Sequence, residues 1–223
     1  MTKWMIVAVA GLLMAQANAQ EPDVFKTQKE KLSYALGMDL GNSLRAQSID
    51  IDPVVFSQAL RDALSGGKTL LTPEQVRVVV AGLQSEVKNK VIVKNKKEGE
   101  DFLAQNKTKE GVVTLASGLQ YKILKAGDGK KPALEDTVVC HYRGTLIDGT
   151  EFDSSYKRGQ PTSFPLKGVI KGWTEALQLM PVGSKWQLFI PASLAYGDRG
   201  TGPIGPESTL IFEVELISIQ GKT

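Results

Sequence analysis

Apolar positions recur along this chain with two different periods, and the change of period divides it. Between residues 25 and 46, Leu32, Ala35, Leu36, Leu40 and Leu44 repeat at helical spacing, the stripe of an amphipathic helix. Gly37 and Gly41 lie inside it. Glycine costs about 1 kcal/mol against alanine in a helix, so two of them predict close backbone approach to another helix. Asp52-Pro53 then supplies an N-cap followed by proline at the first helical position, Val55, Phe56, Ala59, Leu60, Ala63 and Leu64 form a second stripe, and Gly66-Gly67 ends it. Thr72-Pro73-Glu74-Gln75 reads as a reciprocal capping box. The helix it opens is expected to reach about Asn106, a length of about 50 Å at 1.5 Å per residue. Val76, Val79, Val80, Leu83 and Val87 give its first half an apolar face, whereas residues 94–101, KNKKEGED, are polar all round. That pattern predicts a helix bridging domains through solvent, with Gly99 as a point where it can bend. The alternative for the basic run is contact with an acidic partner or a membrane surface.

After Lys107 the period falls to two. Residues 119–124 alternate, residues 127–132 form a turn, and residues 137–145 place Val138, Cys140, Tyr142 and Gly144 on one face. Asp148-Gly149 marks a tight turn from which Glu151-Phe152-Asp153 returns. Residues 184–190 and 209–219 are strands by their β-branched and aromatic content, and residues 172–180 make the one short helix, ended by Pro181 and Gly183. The expected class is α+β: a curved antiparallel β-sheet wrapped on a short helix, preceded by an all-α region and a long connecting helix. Residues 20–71 would form the helical region, 72–107 the connecting helix and 108–223 the sheet domain. Two short helices bury little apolar surface alone, so the first region is expected to pair with a second copy; the alternative is a bundle closed by the third helix.

Residues 1–19 are set apart from the fold. Lys3 gives a basic start, Met5 to Met14 is almost wholly apolar, and Ala17-Asn18-Ala19 is an A-x-A site, so an export leader cut before Gln20 is expected. The apolar run falls short of the ~20 residues of a membrane span, and no Cys directly follows it, so no lipid anchor is expected at that point. Lys+Arg 27 against Asp+Glu 24 gives +3, and loss of Lys3 with the leader brings this to about +2. Such a balance gives no reason to expect nucleic acid. Cys140 is the single cysteine, so no internal disulfide can form, and on its inward face it reads as a small buried hydrophobe. One His and one Cys do not make up the usual ligand set for zinc or iron.

If Tyr142, Phe152 and Asp153 converge, they make an aromatic pocket with one carboxylate at its edge, a binding site more than an acid/base site. These residues, with Val169-Ile170-Lys171-Gly172-Trp173, Met180-Pro181-Val182-Gly183, Ala195-Tyr196-Gly197 and Thr209-Leu210-Ile211-Phe212, resemble the FK506-binding protein family of peptidyl-prolyl isomerases. The resemblance covers residues 108–220 in the family's order. The whole chain further resembles the macrophage-infectivity-potentiator subgroup of Gram-negative bacteria. The resemblance implies the same α+β fold, an isomerase that needs neither cofactor nor metal, and a homodimer whose N-terminal helices intertwine. Clients would be proline-containing segments of unfolded or folding envelope proteins, in the periplasm or at the outer membrane, and macrolides of the FK506 type would bind.

By the same resemblance Trp173 is the floor under the proline ring, and Tyr142, Phe152, Val169, Ile170 and Phe212 are walls. The backbone N–H of Ile170 and the hydroxyl of Tyr196 would hold ligand carbonyls. Asp153 would face the reacting amide and organise Tyr142, so Tyr142, Asp153 and Tyr196 are the catalytic candidates. Phe164 is either a pocket wall or core at the strand edge. Thr162 stands where many eukaryotic members carry a second aromatic, which opens that wall. Residues 197–207, GDRGTGPIGPE, have the glycine and proline content of a flap, with Ile204 facing substrate. His141, on the alternate strand face, is assigned a structural or hydrogen-bonding role. Two rival functions stand beside the isomerase: a holdase chaperone whose proline pocket only binds, and a surface adhesion factor.

Overall fold

The computed structural model describes residues 24–220, so the expected leader at residues 1–19 lies outside the described residues. The chain divides into two units, residues 1–70 and 71–223. Helix α1 (Gln28–Ala46) starts where the Thr27 side chain accepts from the Glu30 N–H. Helix α2 (Pro53–Ser65) starts on Asp52, whose Oδ1 accepts from Val54 N at 2.8 Å and Val55 N at 3.2 Å. It stops at Gly66 in the left-handed region, φ 66°. Neither helix buries a residue: Leu36 is 62% exposed and Leu60 50%. Their apolar faces instead line one hollow, where Gly37, Leu40, Gly41 and Leu44 meet Phe56 and Leu60.

Helix α3 (Pro73–Asn106) opens the second unit with the expected capping box: Thr72 Oγ1 accepts from Gln75 N at 3.2 Å and Gln75 Oε1 accepts from Thr72 N at 2.8 Å. Its second half departs from the expectation. Instead of crossing solvent, it packs on the sheet domain, with Gly99 and Asn106 buried. Asn106 Nδ2 donates to Gln120 Oε1 at 2.9 Å, Gln120 Nε2 donates to the Leu103 carbonyl at 2.9 Å, and Phe102 lies 5.9 Å from Phe189. Helix α3 runs unbroken through Gly99. A Cβ there would come 2.4 Å from Thr209 Oγ1, so the glycine permits close approach. A packed face in which glycine and hydrogen-bonded amides separate the few apolar residues shows no hydrophobic period, so the pattern alone does not reveal it.

The sheet runs β1 (Val112–Thr114), β2 (Gln120–Lys125), β6 (Lys185–Ile190), β7 (Leu210–Gln220), β3 (Thr137–Leu146) and β4 (Glu151–Ser154), every pair antiparallel, with β5 (Thr162–Pro165) also on β3. Strands β1 and β5, of three and four residues, went unseen in the sequence pattern. The β3–β7 pairing extends from Thr137 opposite Gln220 to Leu146 opposite Leu210. The inward face of β3 is as read: Val138 and Cys140 are 0% exposed and Tyr142 5%. Burial pushes the Cys140 thiol up to about 12, so it packs as a hydrophobe. Helix α4 (Lys171–Leu177) lies on this face, and Trp173, Ala176, Leu177 and Met180 join Val138, Leu188, Ile190 and Val214 in one core. A Cβ on Gly172 would come 2.5 Å from Ile190 Cγ2, so glycine sets the distance between helix and sheet. The sheet does not close, and the class is α+β with a helical N-terminal region. Among the described residues no helix is long and apolar enough to cross a membrane.

Candidate active site

Four strands, one short helix and one loop bring the candidates to a common place. Strand β3 presents Tyr142 and Gly144, β4 presents Phe152 and Asp153, β5 presents Phe164 and β7 presents Phe212, while α4 and the residues just before it supply Val169, Ile170 and Trp173. A Cβ on Gly144 would stand 2.6 Å from the Phe152 ring and 2.7 Å from the Phe212 ring. Glycine here lets the two rings meet edge to face at 5.4 Å. Residues Tyr196 and Ile204 complete the rim. All ten residues singled out from the sequence line one hollow of about 540 Å³, together with Gly168, Thr201, Gly202 and Pro203. Phe164 is both wall and packing residue, partly buried against the core.

Trp173 is the centre of the ring cluster. It is 3% exposed, with Tyr142 at 5.3 Å and 86°, Phe164 at 5.4 Å and 78°, and Phe212 at 5.2 Å and 78°. Near-perpendicular pairs set the positive edge of one ring against the negative face of another, worth about 0.5–1.5 kcal/mol each beyond area burial. The indole Nε1 has no hydrogen-bond partner among the described residues.

One edge of the hollow is polar. Tyr142 Oη donates to Asp153 Oδ2 at 2.5 Å. Arg158, which the sequence reading missed, donates through Nη1 to Asp153 Oδ1 at 2.5 Å and through Nη2 to Tyr142 Oη at 2.6 Å. It lies in the loop after β4 (Glu151–Ser154), where its pairing with Asp153 follows no local sequence motif. Arg158 Nη2 also reaches Thr162 Oγ1 at 3.4 Å, so the position that departs from the eukaryotic pattern supports the guanidinium. Desolvation pushes the Asp153 carboxyl up, but the hydrogen bonds from Tyr142 and Arg158 outweigh it and hold the group below the usual carboxylate range. Desolvation, then the bond to Asp153, pushes Tyr142 up, with Arg158 opposing. Desolvation, then the Asp153 charge, does the same to Tyr196. At neutral pH the edge therefore holds one carboxylate and two protonated phenols.

The lining contains no cysteine, serine or histidine. His141 lies on the other strand face, with Nδ1 2.9 Å from Ser155 Oγ and its ring stacked 4.6 Å from Tyr156. Residues 197–207 form a braced loop: Thr201 N donates to Ile204 O at 2.8 Å, Ile204 N to Thr201 O at 2.9 Å, and Glu207 N to Gly197 O at 2.8 Å. This brace puts Ile204, 5% exposed, into the hollow.

Such a hollow has room for an apolar ring between aromatic walls, with one carboxylate and two phenols at its edge. Comparison with known proteins gives the family. Residues 128–217 match the FKBP-type peptidyl-prolyl cis-trans isomerase domain, and residues 29–123 match the domain amino terminal to it. The chain is 48% identical to the outer membrane protein MIP of Legionella longbeachae over 98% of this chain and 97% of that one. It is 46% identical to the peptidyl-prolyl cis-trans isomerase Mip of Coxiella burnetii over 97% and 96% of the two chains. The crystal structure of FkpA from Escherichia coli superposes with a TM-score of 0.68 at 38% identity, covering 88% of this chain and 98% of that one. The chain belongs to the FKBP-type peptidyl-prolyl cis-trans isomerases.

A depressed carboxyl value stabilises the fold above the unfolded-state value of about 3.9, and this contribution is lost as pH falls through the lower folded-state value. Carboxyl NMR titration is expected to place the Asp153 midpoint below that of an unfolded-peptide aspartate, and Arg158→Ala is expected to raise it. An identical midpoint in parent and variant would remove Arg158 from the account.

Proposed function

We propose that this isomerase accelerates rotation about X-Pro bonds in unfolded or folding envelope proteins by binding the twisted amide in the aromatic hollow. The barrier to be lowered is about 18–20 kcal/mol and comes from the resonance that keeps the amide planar. A twisted amide has lost that resonance and is less charge-separated than the planar forms, so a water-poor apolar site binds it preferentially. The observation that carries this reading is the floor: Trp173, almost fully buried, with three near-perpendicular aromatic neighbours and one ionised carboxylate at the edge.

In this reading the proline ring rests on Trp173 between Phe152, Phe164, Val169, Ile170 and Phe212, with Ile204 closing from the flap. The Ile170 backbone N–H and the Tyr196 hydroxyl hold carbonyls of the client, and Asp153, oriented by Tyr142 and Arg158, faces the reacting amide. FK506-type macrolides occupy the same hollow. Family membership favours this activity over a pocket that only binds, or over surface adhesion.

The division into residues 20–71 for dimerisation, 72–107 as connecting helix and 108–223 as isomerase domain belongs to the same proposal, with residues 1–19 as an export leader and an envelope location. Support for a homodimer comes from the first unit, whose Leu36, Leu40, Phe56 and Leu60 are 62%, 41%, 40% and 50% exposed in one chain. A second copy would cover them. Two sites on one dimer would raise the effective concentration of a client's second proline segment.

Removing a hydrogen bond to a charged group costs about 1.5–3 kcal/mol, or roughly 10- to 150-fold in rate. Asp153→Ala and Tyr142→Phe are each expected to lower kcat/KM for an X-Pro peptide by that factor; unchanged values would overturn the assignment. Light scattering of the chain without its leader is expected to give twice the chain mass at micromolar concentration, and a monomer there would end the dimer proposal.

A further inference from the structure

Helix α3 reaches the back of the loop that carries Ile204. Asn95 Nδ2 donates to the Pro206 carbonyl at 2.7 Å and lies 3.5 Å from Ser208 Oγ, which itself donates to the Gly205 carbonyl at 2.9 Å. The loop backbone is against the helix at this point: a Cβ on Gly205 would stand 3.3 Å from Asn95 Nδ2 and 3.9 Å from Val91 Cγ1. One turn further along, Gly99 admits Thr209 with no room for a methyl group, since its Cβ would meet Thr209 Oγ1 at 2.4 Å. Val91, Asn95, Gly99, Phe102 and Asn106 fall at spacings of three and four, one face of one helix. This face holds both ends of the segment 205–209, while the preceding residues of the loop line the hollow on its other side.

We infer that Asn95 is a positioning residue for the isomerase site, latching the flap to the connecting helix so that Ile204 stands over the hollow. The inference rests on the reading of that hollow as the substrate site. Asn95 is absent from the lining and acts through the Pro206 carbonyl. That carbonyl is two residues from Ile204, in a loop already cross-braced between Thr201 and Ile204, so a shift of the helix face moves the brace as a body. Because Gly99 leaves no slack against Thr209, displacement along α3 is passed to the flap instead of being absorbed by loose packing. The connecting helix thereby sets how closely the flap grips a client.

An apolar flap contact is made to planar and twisted substrate alike. Its loss raises KM and leaves kcat nearly unchanged. The test uses the full chain. Asn95→Asp keeps the size of the side chain and replaces the donor with an acceptor facing the Pro206 carbonyl; it is expected to raise KM for an X-Pro peptide about three- to tenfold, within the range of a lost apolar contact. Gly99→Ala is expected to do the same by pushing the helix off Thr209, and Thr209→Ala added to it is expected to bring KM back toward the parent, because the 2.4 Å encounter is with the hydroxyl being removed. A fall in kcat with KM unchanged, or no change in either, overturns the latch. If Gly99→Ala does not fold, Asn95→Asp decides alone. Tyr142→Phe, assayed alongside, separates the two failures: activity lost there but KM untouched in Asn95→Asp rejects the latch and leaves the site, whereas full activity in Tyr142→Phe rejects the site and the latch with it.

Discussion

The edge-to-face packing of Tyr142, Phe164 and Phe212 about Trp173 is the arrangement on which the rest of the second unit depends. It demands that one helix and three strands deliver large rings to one point, each at its own angle. Two glycines make the geometry attainable. Gly172 brings α4 down on Ile190, and Gly144 leaves the space in which the Phe152 and Phe212 rings come together. A methyl group at either position would occupy atoms already there, so the depth of the hollow is set by backbone approach as much as by the side chains that line it.

Around this dry floor, polarity is confined to one edge and is held by mutual constraint. Asp153 takes hydrogen bonds from Tyr142 and Arg158, and Arg158 also donates to the Tyr142 hydroxyl. The triangle keeps the carboxylate charged although desolvation opposes it. It also keeps that charge neutralised by a guanidinium, so that the hollow presents an oriented dipole instead of a bare anion. Such an edge suits a reaction in which no bond is made or broken and only the polarity of an amide changes as it turns.

Much of this was legible in the sequence, for reasons that can be named. The alternation Val138, Cys140, Tyr142, Gly144 reports burial because a strand pairing with a neighbour on each side shows one face to the core. The caps at Asp52 and Thr72 are local chemistry, confined to three or four residues. The ten pocket candidates came together because a family resemblance supplied the long-range order that periodicity cannot. What escaped was tertiary. Strands β1 and β5 are too short to show a period and exist through their pairing with β2 and β3. Arg158 gains its meaning only when a loop folds back on Asp153. The second half of α3 looked solvated because Asn95, Gly99 and Asn106 carry much of its contact and leave Val91 and Phe102 too far apart to show a period.

If the amide turns solely because its twisted form is better accommodated by an apolar cup, no proton is in flight in the slow step. Solvent deuterium isotope effects on kcat/KM for an X-Pro peptide, taken where Asp153 is charged and both tyrosines are protonated, test this most directly. Rotation without proton transfer gives a ratio near unity. A large normal effect would mean that a proton moves with the rotation, and the hollow would then have to be explained as an acid/base site.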